Sequence, residues 1–187
     1  MNQQKPNGQH VGWERLDTHR PYQYTHFRIR EDRIRLPNGQ ETNYAYMETK
    51  GAVWIVPVTR DGQVVLIRQY RYAVDDWCWE VPAGGLHDHA GSLESLARRE
   101  LAEEVGGSCD ELIYVGWHYA SCSISDEVCH VFLARGVRLD REPQREAGET
   151  METHLVSLPE ALALAREGRM TDGKSALALF LCEPHLR

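Results

Sequence analysis

The chain has no apolar run approaching the roughly 18 residues of a membrane-spanning helix, so its 187 residues offer no membrane anchor. It also has no Cys-x-x-Cys pair, and its five cysteines (Cys78, Cys109, Cys122, Cys129 and Cys182) are odd in number. That argues against a disulfide framework and predicts a reducing compartment. The polar stretch from Met1 to His10 has no apolar segment of the kind a signal peptide needs, so a cytoplasmic address is expected. Internal repeats and low-complexity tracts are absent. Positive charge is in deficit, with 21 basic against 28 acidic residues and a net charge of −7. Such a chain is a poor non-specific binder of nucleic acid, because phosphate affinity rests mostly on Lys and Arg. No nucleic-acid partner is expected. A small anionic substrate stays within reach if metal ions supply positive charge locally.

What is present suits one domain with a short extension, long enough to bury a core without staples. Residues 1–12, rich in Gln, Asn, Gly and Pro, are expected to lack structure. Residues 13–50 read as an N-terminal β extension and 51–187 as the main domain. Tyr24 to Leu36 alternates in places, Pro37-Asn38-Gly39-Gln40 is a turn, and Thr42 to Glu48 is the return strand. Asn-Gly between such runs signals a hairpin. Strands follow at Ala52 to Thr59, Val64 to Tyr72 and Trp77 to Val81, the last ending at Pro82-Ala83-Gly84-Gly85. A helix is predicted from Ser92, its cap, to Val105, before Gly106-Gly107. Leu112 to Tyr119, Val128 to Ala134 and Glu152 to Ser157 read as strands. Arg138 to Thr150 reads as a charged loop, and helices follow at 159–166 and 175–182. The order is mixed α and β.

The helix carries the chemistry. In Arg98-Arg99-Glu100-Leu101-Ala102-Glu103-Glu104-Val105-Gly106, the glutamates at 100, 103 and 104 crowd into one arc. Leu93, Ala97, Leu101 and Val105 form an apolar stripe beside them. Like charges at that spacing destabilise a helix by a few tenths of a kcal/mol per pair, and bound Mg²⁺ or Mn²⁺ offsets this with a hard cation. The bland alternative is a solvated Glu-rich face. Two flanking features favour metal: the Gly-rich segment before the helix, and the late acidic segment Glu146, Glu149 and Glu152, where a loop can carry a mobile catalytic residue.

These residues resemble the Nudix box, G-x5-E-x7-R-E-U-x-E-E-x-G-U with U bulky and aliphatic. Gly85, Arg99, Glu100, Leu101, Glu103, Glu104 and Gly106 match at the right spacing, while Gly91 stands at the first Glu and Gly107 at the last aliphatic position. Trp79 to Gly84 and Ser121 to Glu127 are similar to segments of the ADP-ribose pyrophosphatase subfamily, although Cys122 replaces its typical proline. By eye the resemblance spans roughly residues 25 to 183.

It implies a Nudix fold, an α/β/α sandwich around a mixed β-sheet with an N-terminal β-hairpin extension, and a homodimer joined through the N-terminal strands. It implies Glu100, Glu104 and the Ala83 carbonyl as metal ligands. Glu149 is the expected general base, with Glu103 and Arg99 in the catalytic set. Arg71, Glu80, Asp126 and Glu127 are the expected substrate contacts. The implied reaction is metal-dependent hydrolysis of a nucleoside diphosphate derivative, with ADP-ribose or another nucleotide sugar foremost. NADH and dinucleoside polyphosphates are alternatives, as is a nucleotide-sensing domain with weak catalysis. Because Gly91 cannot pair with Arg99, that arginine needs another partner; Glu94 is a candidate, though it does not share a face with Arg99 on an ideal helix. His87 and His89 flank Asp88 as a possible extra metal site, with exposed loop residues the blander alternative. Cys122, with His118 four residues earlier, could be a reactive thiol near the substrate cleft, but a packed, inert thiol suits it better. The hairpin arginines Arg28, Arg30, Arg33 and Arg35 could bind phosphate or RNA, but a solvated strand face or salt links suits them better.

Overall fold

A computed structural model describes residues 5–87 and 89–186. Two compact units are distinguished. One comprises the described residues up to Lys50 together with Tyr119–Glu127; the other comprises Gly51–His118 and the described residues from Val128 onward. The segment 119–127 thus belongs with the N-terminal residues, a partition that the sequence does not announce.

In the first unit, a short helix α1 (Pro6–His10) precedes three antiparallel strands, β1 (Glu14–Gln23), β2 (Arg28–Arg35) and β3 (Glu41–Glu48), in that spatial order. The described part of the stretch expected to be unstructured therefore includes a helix, while its residues 1–4 lie outside the described residues. The predicted hairpin forms. Gly39 takes a φ of +82°, and Asn38 Oδ1 accepts from the Gln40 amide at 3.0 Å. Strand β1 escapes sequence reading for a physical reason. It is mostly exposed, contains Pro21, and is interrupted at Arg15/Asp17 and His19/Tyr22, so no apolar alternation marks it. The 119–127 segment docks on β3, where the Met47 amide donates to the Ile124 carbonyl at 2.8 Å.

The hairpin arginines are occupied within this unit. Arg30 is fully buried between Asp32 at 2.9 Å and Glu48 at 3.1 Å. Arg28 also approaches Glu48, at 3.4 Å, and Arg33 and Arg35 pair with Glu41. Salt links, rather than an open basic face, describe them.

The second unit is a mixed eight-stranded sheet. Its strands are β4 (Ala52–Thr59), β5 (Gln63–Arg71), β6 (Asp76–Glu80), β7 (Ala83–Gly85), β8 (Gly107–Ser108), β9 (Glu111–Tyr119), β10 (Val128–Leu139) and β11 (Met151–Ser157). The central path runs β11-β5-β4-β10-β8, with β4 and β10 parallel. Helices are α2 (Leu93–Val105), α3 (Leu158–Arg166) and α4 (Gly173–Cys182). Strand β4 is buried on both faces. Val53 and Ile55 pack with Leu96, Ala97, Leu101 and Val105 of α2, while Trp54, on the alternate face, lies under Lys174 of α4 at 4.8 Å. Each such fully buried aliphatic contributes ~1.5–3 kcal/mol. Helix α2 begins where predicted: Ser92 accepts from the Ser95 amide, and Gly106 closes the helix at a φ of 67°. Leu96 joins the apolar stripe that the sequence assigned to residues 93, 97, 101 and 105.

Candidate active site

Helix α2 carries its glutamates in two layers. Glu100 and Glu104, four residues apart, are buried at 8% and 4% exposure, whereas the Glu103 side chain is 44% exposed. Residues at that spacing share a face, so the inner pair lies beside the apolar stripe and Glu103 outside it. Glu104 Oε2 accepts from the Ala83 amide at 3.0 Å. Burial, reinforced by the charges of Glu149 and Glu100, pushes the Glu104 carboxyl well above the usual carboxylate range, against the pull of the Ala83 amide and Arg71. Burial also raises Glu100; Arg99 opposes the shift, and Glu103 and Glu149 add to it. Glu149 of the late loop is therefore close enough to act on both inner carboxylates.

Gly84 makes room for this arrangement. A Cβ at that position would collide with the Glu100 carboxylate, so a side chain there would push Glu100 out of its place. The site also has an anchor that the sequence did not single out. Arg145 Nε donates to the Glu104 carbonyl at 3.0 Å, Nη1 to the Met151 carbonyl at 2.7 Å and Nη2 to Thr153 Oγ1 at 2.9 Å. These bonds tie the late loop to the end of α2 and to β11. Beyond the anchor, Glu149 Oε2 accepts from the Glu146 amide at 2.8 Å. No sequence signal distinguishes Arg145 from other arginines in a charged loop.

Arg71 and Glu80 form a forked pair, Nε to Oε1 at 2.7 Å and Nη2 to Oε2 at 2.5 Å. The Glu80 hydrogen bonds raise the Arg71 pKa, and the charges of Asp172 and Glu104 add to this. The structure thus groups Arg71, Glu80, Ala83, Glu100, Glu104 and Glu149. Asp126 and Glu127 belong to the other unit. There, Asp126 Oδ1 accepts from the Thr49 amide at 2.8 Å, and the Glu127 amide donates to Ser125 Oγ at 3.0 Å.

Glu94 does not serve Arg99: it pairs with Arg98, one turn on, at 3.0 Å. Arg99 instead donates to Glu100 at 2.8 Å, and its Nε lies 3.5 Å from Glu103 Oε2. The space beside Gly91 is taken by His89 and Ser95. His89 Nε2 is 2.8 Å from Ser95 Oγ and 3.0 Å from the Ser92 carbonyl. The histidine pair considered as a metal site involves Asp88, which lies outside the described residues.

Among the described residues, no three carboxylate, imidazole or thiol groups stand together at metal-holding distance. Glu100 is turned onto Arg99, and Glu104 onto the Ala83 amide, the group of Ala83 that this structure brings to the site. The donor set still fits a hard divalent cation. It is all oxygen and buried, and its carboxyl groups are raised by burial first and by neighbouring carboxylates second, a cost that a cation would relieve.

Residues 48–178 match the NUDIX domain profile, and residues 13–47 match the nucleoside diphosphate sugar hydrolase N-terminal domain. The chain belongs to the Nudix family. It is similar to the ADP-ribose pyrophosphatase of Bacillus subtilis (strain 168), with 32% identity over 78% of this chain and 79% of that one. It is also similar to the GDP-mannose pyrophosphatase of Yersinia enterocolitica, with 30% identity over 78% of this chain and 80% of the relative. A crystal structure of an ADP compounds hydrolase shares the fold, with a TM-score of 0.80 and 22% identity over 93% of this chain and 94% of that one. The protein is thus a Nudix hydrolase acting on diphosphate linkages of nucleoside diphosphate derivatives. Nudix chemistry uses divalent cations, which agrees with the donor set.

Proposed function

We propose that this Nudix hydrolase splits the diphosphate of ADP-ribose or a related nucleotide sugar such as GDP-mannose, giving a nucleoside monophosphate and a sugar phosphate. The observation that supports this best is the buried Glu104, its carboxyl raised by burial and then by the charges of Glu149 and Glu100, beside a forked Arg71–Glu80 pair. Glu100 and Glu104, with the Ala83 carbonyl, would hold Mg²⁺ or Mn²⁺. When bound, the ion offsets the substrate's negative charge and makes a water more acidic. Glu149 takes the proton from the attacking water as general base. Glu80 holds the Arg71 guanidinium by both oxygens, so that its remaining donor edge is fixed for phosphate. Glu103 and Arg99 complete the proposed catalytic set. Residues 13–50 form the proposed dimerisation element of a cytoplasmic homodimer.

The test is product release from ADP-ribose, GDP-mannose, UDP-glucose, NADH and diadenosine polyphosphates, with Mg²⁺ or Mn²⁺ and with chelator. Chelator-sensitive cleavage fastest on ADP-ribose is expected. Preference for NADH or a dinucleoside polyphosphate overturns the substrate assignment. Sedimentation of the full chain checks the dimer, and a monomer at micromolar concentration rejects it.

A further inference from the structure

A cavity of about 380 Å³ lies wholly within the first unit. Four aromatic rings wall it, Trp13, Tyr44, Tyr46 and Tyr119, together with the carboxylates of Asp32 and Asp126. Tyr44 and Tyr46 meet edge to face with ring centroids 6.3 Å apart. The Tyr44 hydroxyl donates to the Ser123 carbonyl at 2.9 Å, which fixes that wall to the 119–127 segment. Tyr46 is 6% exposed, and its hydroxyl is buried with no hydrogen-bond partner among the described residues. A buried polar atom left unpaired is costly, and one on a cavity wall marks where a ligand would bond. Burial, opposed by Arg30 and helped by the charges of Asp32, Asp126 and Glu48, pushes that hydroxyl up to about 12, so it stays neutral. The cavity also holds a cation of its own. The Lys5 ammonium lies 4.5 Å from the centroid of the Tyr46 ring, over the face where ring electrons attract positive charge. Lys5 arrives there beside α1, which has no buried residue, so little else holds it in place.

We propose that this cavity is a binding site for small organic ammonium ions, and that Lys5 is its built-in occupant. A primary ammonium supplies what the walls lack: positive charge for the ring faces and for Asp126, and N–H donors for the Tyr46 oxygen. Asp32 is bound to Arg30 through both oxygens, whereas Asp126 commits one oxygen to the Thr49 amide at 2.8 Å. A phosphorylated ligand fits worse, because it would meet the Asp126 carboxylate at close quarters. An external ammonium must displace Lys5, and a tethered occupant at roughly millimolar effective concentration weakens the apparent affinity of any competitor. The site is independent of the hydrolase reading, since neither Lys5 nor Tyr46 has a part in the proposed reaction.

The experiment is isothermal titration calorimetry of the full chain with n-butylammonium chloride and with tetramethylammonium chloride, at an ionic strength held constant with sodium chloride. Wild type, Lys5→Gln and Tyr46→Phe are compared. Lys5→Gln is expected to bind both ions about tenfold tighter than wild type, because the internal competitor is gone. Tyr46→Phe keeps the ring and removes only an unpaired hydroxyl, so it should fold. It should weaken n-butylammonium about tenfold and leave tetramethylammonium unchanged, since the latter has no N–H to donate. A merely structural Tyr46 would shift both ions alike or neither, and either result overturns the proposal. So does Lys5→Gln that binds neither ion more tightly than wild type. Adenosine serves as a neutral planar probe: tighter adenosine binding in Lys5→Gln, with both ammonium ions unbound, replaces the cation site by a planar neutral one. Glu104→Gln is the control for the acidic helix. Ammonium binding that survives there supports the cavity as the site; binding that is lost there overturns the proposal and leaves the reading of Glu104 intact.

Discussion

Arg30 and Glu104 are both buried charges, one in each unit, and their surroundings differ in kind. Arg30 sits among opposite charges: Asp32 grips it at 2.9 Å through both oxygens, and Glu48 closes the third side. Glu48 is shared with Arg20 at 2.8 Å, and these bonds hold its carboxyl down to about 2. Glu104 sits among like charges, and burial drives it the other way. Buried ions that saturate one another make structure. Buried ions that repel one another raise the energy of the fold and persist where a ligand relieves them. The comparison separates a structural ion network from a candidate site without reference to motif.

The largest expected effect is on the saturated network. Arg30→Met leaves Asp32 and Glu48 buried without their cation and should cost about 3–5 kcal/mol of stability, measured by urea unfolding; a loss under 1 kcal/mol would dissolve the contrast. Next is Glu104→Gln. Turnover should fall by about 10²–10³-fold, the loss of several kcal/mol of charge stabilisation, while the metal-free protein should melt no lower than wild type. Wild-type turnover would reject Glu104 as a ligand. Acid sharpens the comparison by opposite signs. Glu48 is depressed from 4.5 to about 2, so its stabilisation is complete above its unfolded value and is lost as pH falls toward 2, about 3 kcal/mol in all. Glu104 is raised, so the folded state binds the extra proton, and its destabilisation is relieved as pH falls toward its unfolded value. Region-resolved hydrogen exchange between pH 7 and 3 should therefore show α2 gaining protection before residues 28–48 lose it. Simultaneous loss in both regions would contradict this. The smallest effect is Glu41→Gln. Its partners Arg33 and Arg35 are exposed, and the change should stay within about 1 kcal/mol; a larger loss would mean that exposure does not divide this unit's ion pairs.

Legibility in the sequence followed the strength of local signals. The helix with Glu100, Glu103 and Glu104 was readable because its period, its Ser92 cap and its Gly106 stop agree. The hairpin at Asn38-Gly39 was readable because only that turn chemistry needs those residues. Strand β1 was not, since an exposed, bulged edge leaves no apolar period. Strand β7 was not, because Ala83-Gly84-Gly85 has no β-formers and pairs only by docking on β4. The partners of Arg99 and Arg145 are set by side-chain geometry across the fold, which spacing along the chain does not encode. The burial of Arg30 was equally hidden, since an arginine on a polar hairpin looks like surface.

Arg145 also closes a run of anchors in the late loop. The residues before it are pinned to the end of α2 by their own backbone, the Asp140 and Arg141 amides donating to the Gly106 carbonyl at 3.2 and 3.3 Å and the Gln144 amide to the Glu103 carbonyl at 2.7 Å, so an insertion there breaks hydrogen bonds. Residues 146–149 lie between Arg145 and Glu149, so one insertion there moves the carboxylate away from α2. The whole stretch from residue 140 to Glu149 is therefore a poor place for an added residue, and its length is set by the helix it follows.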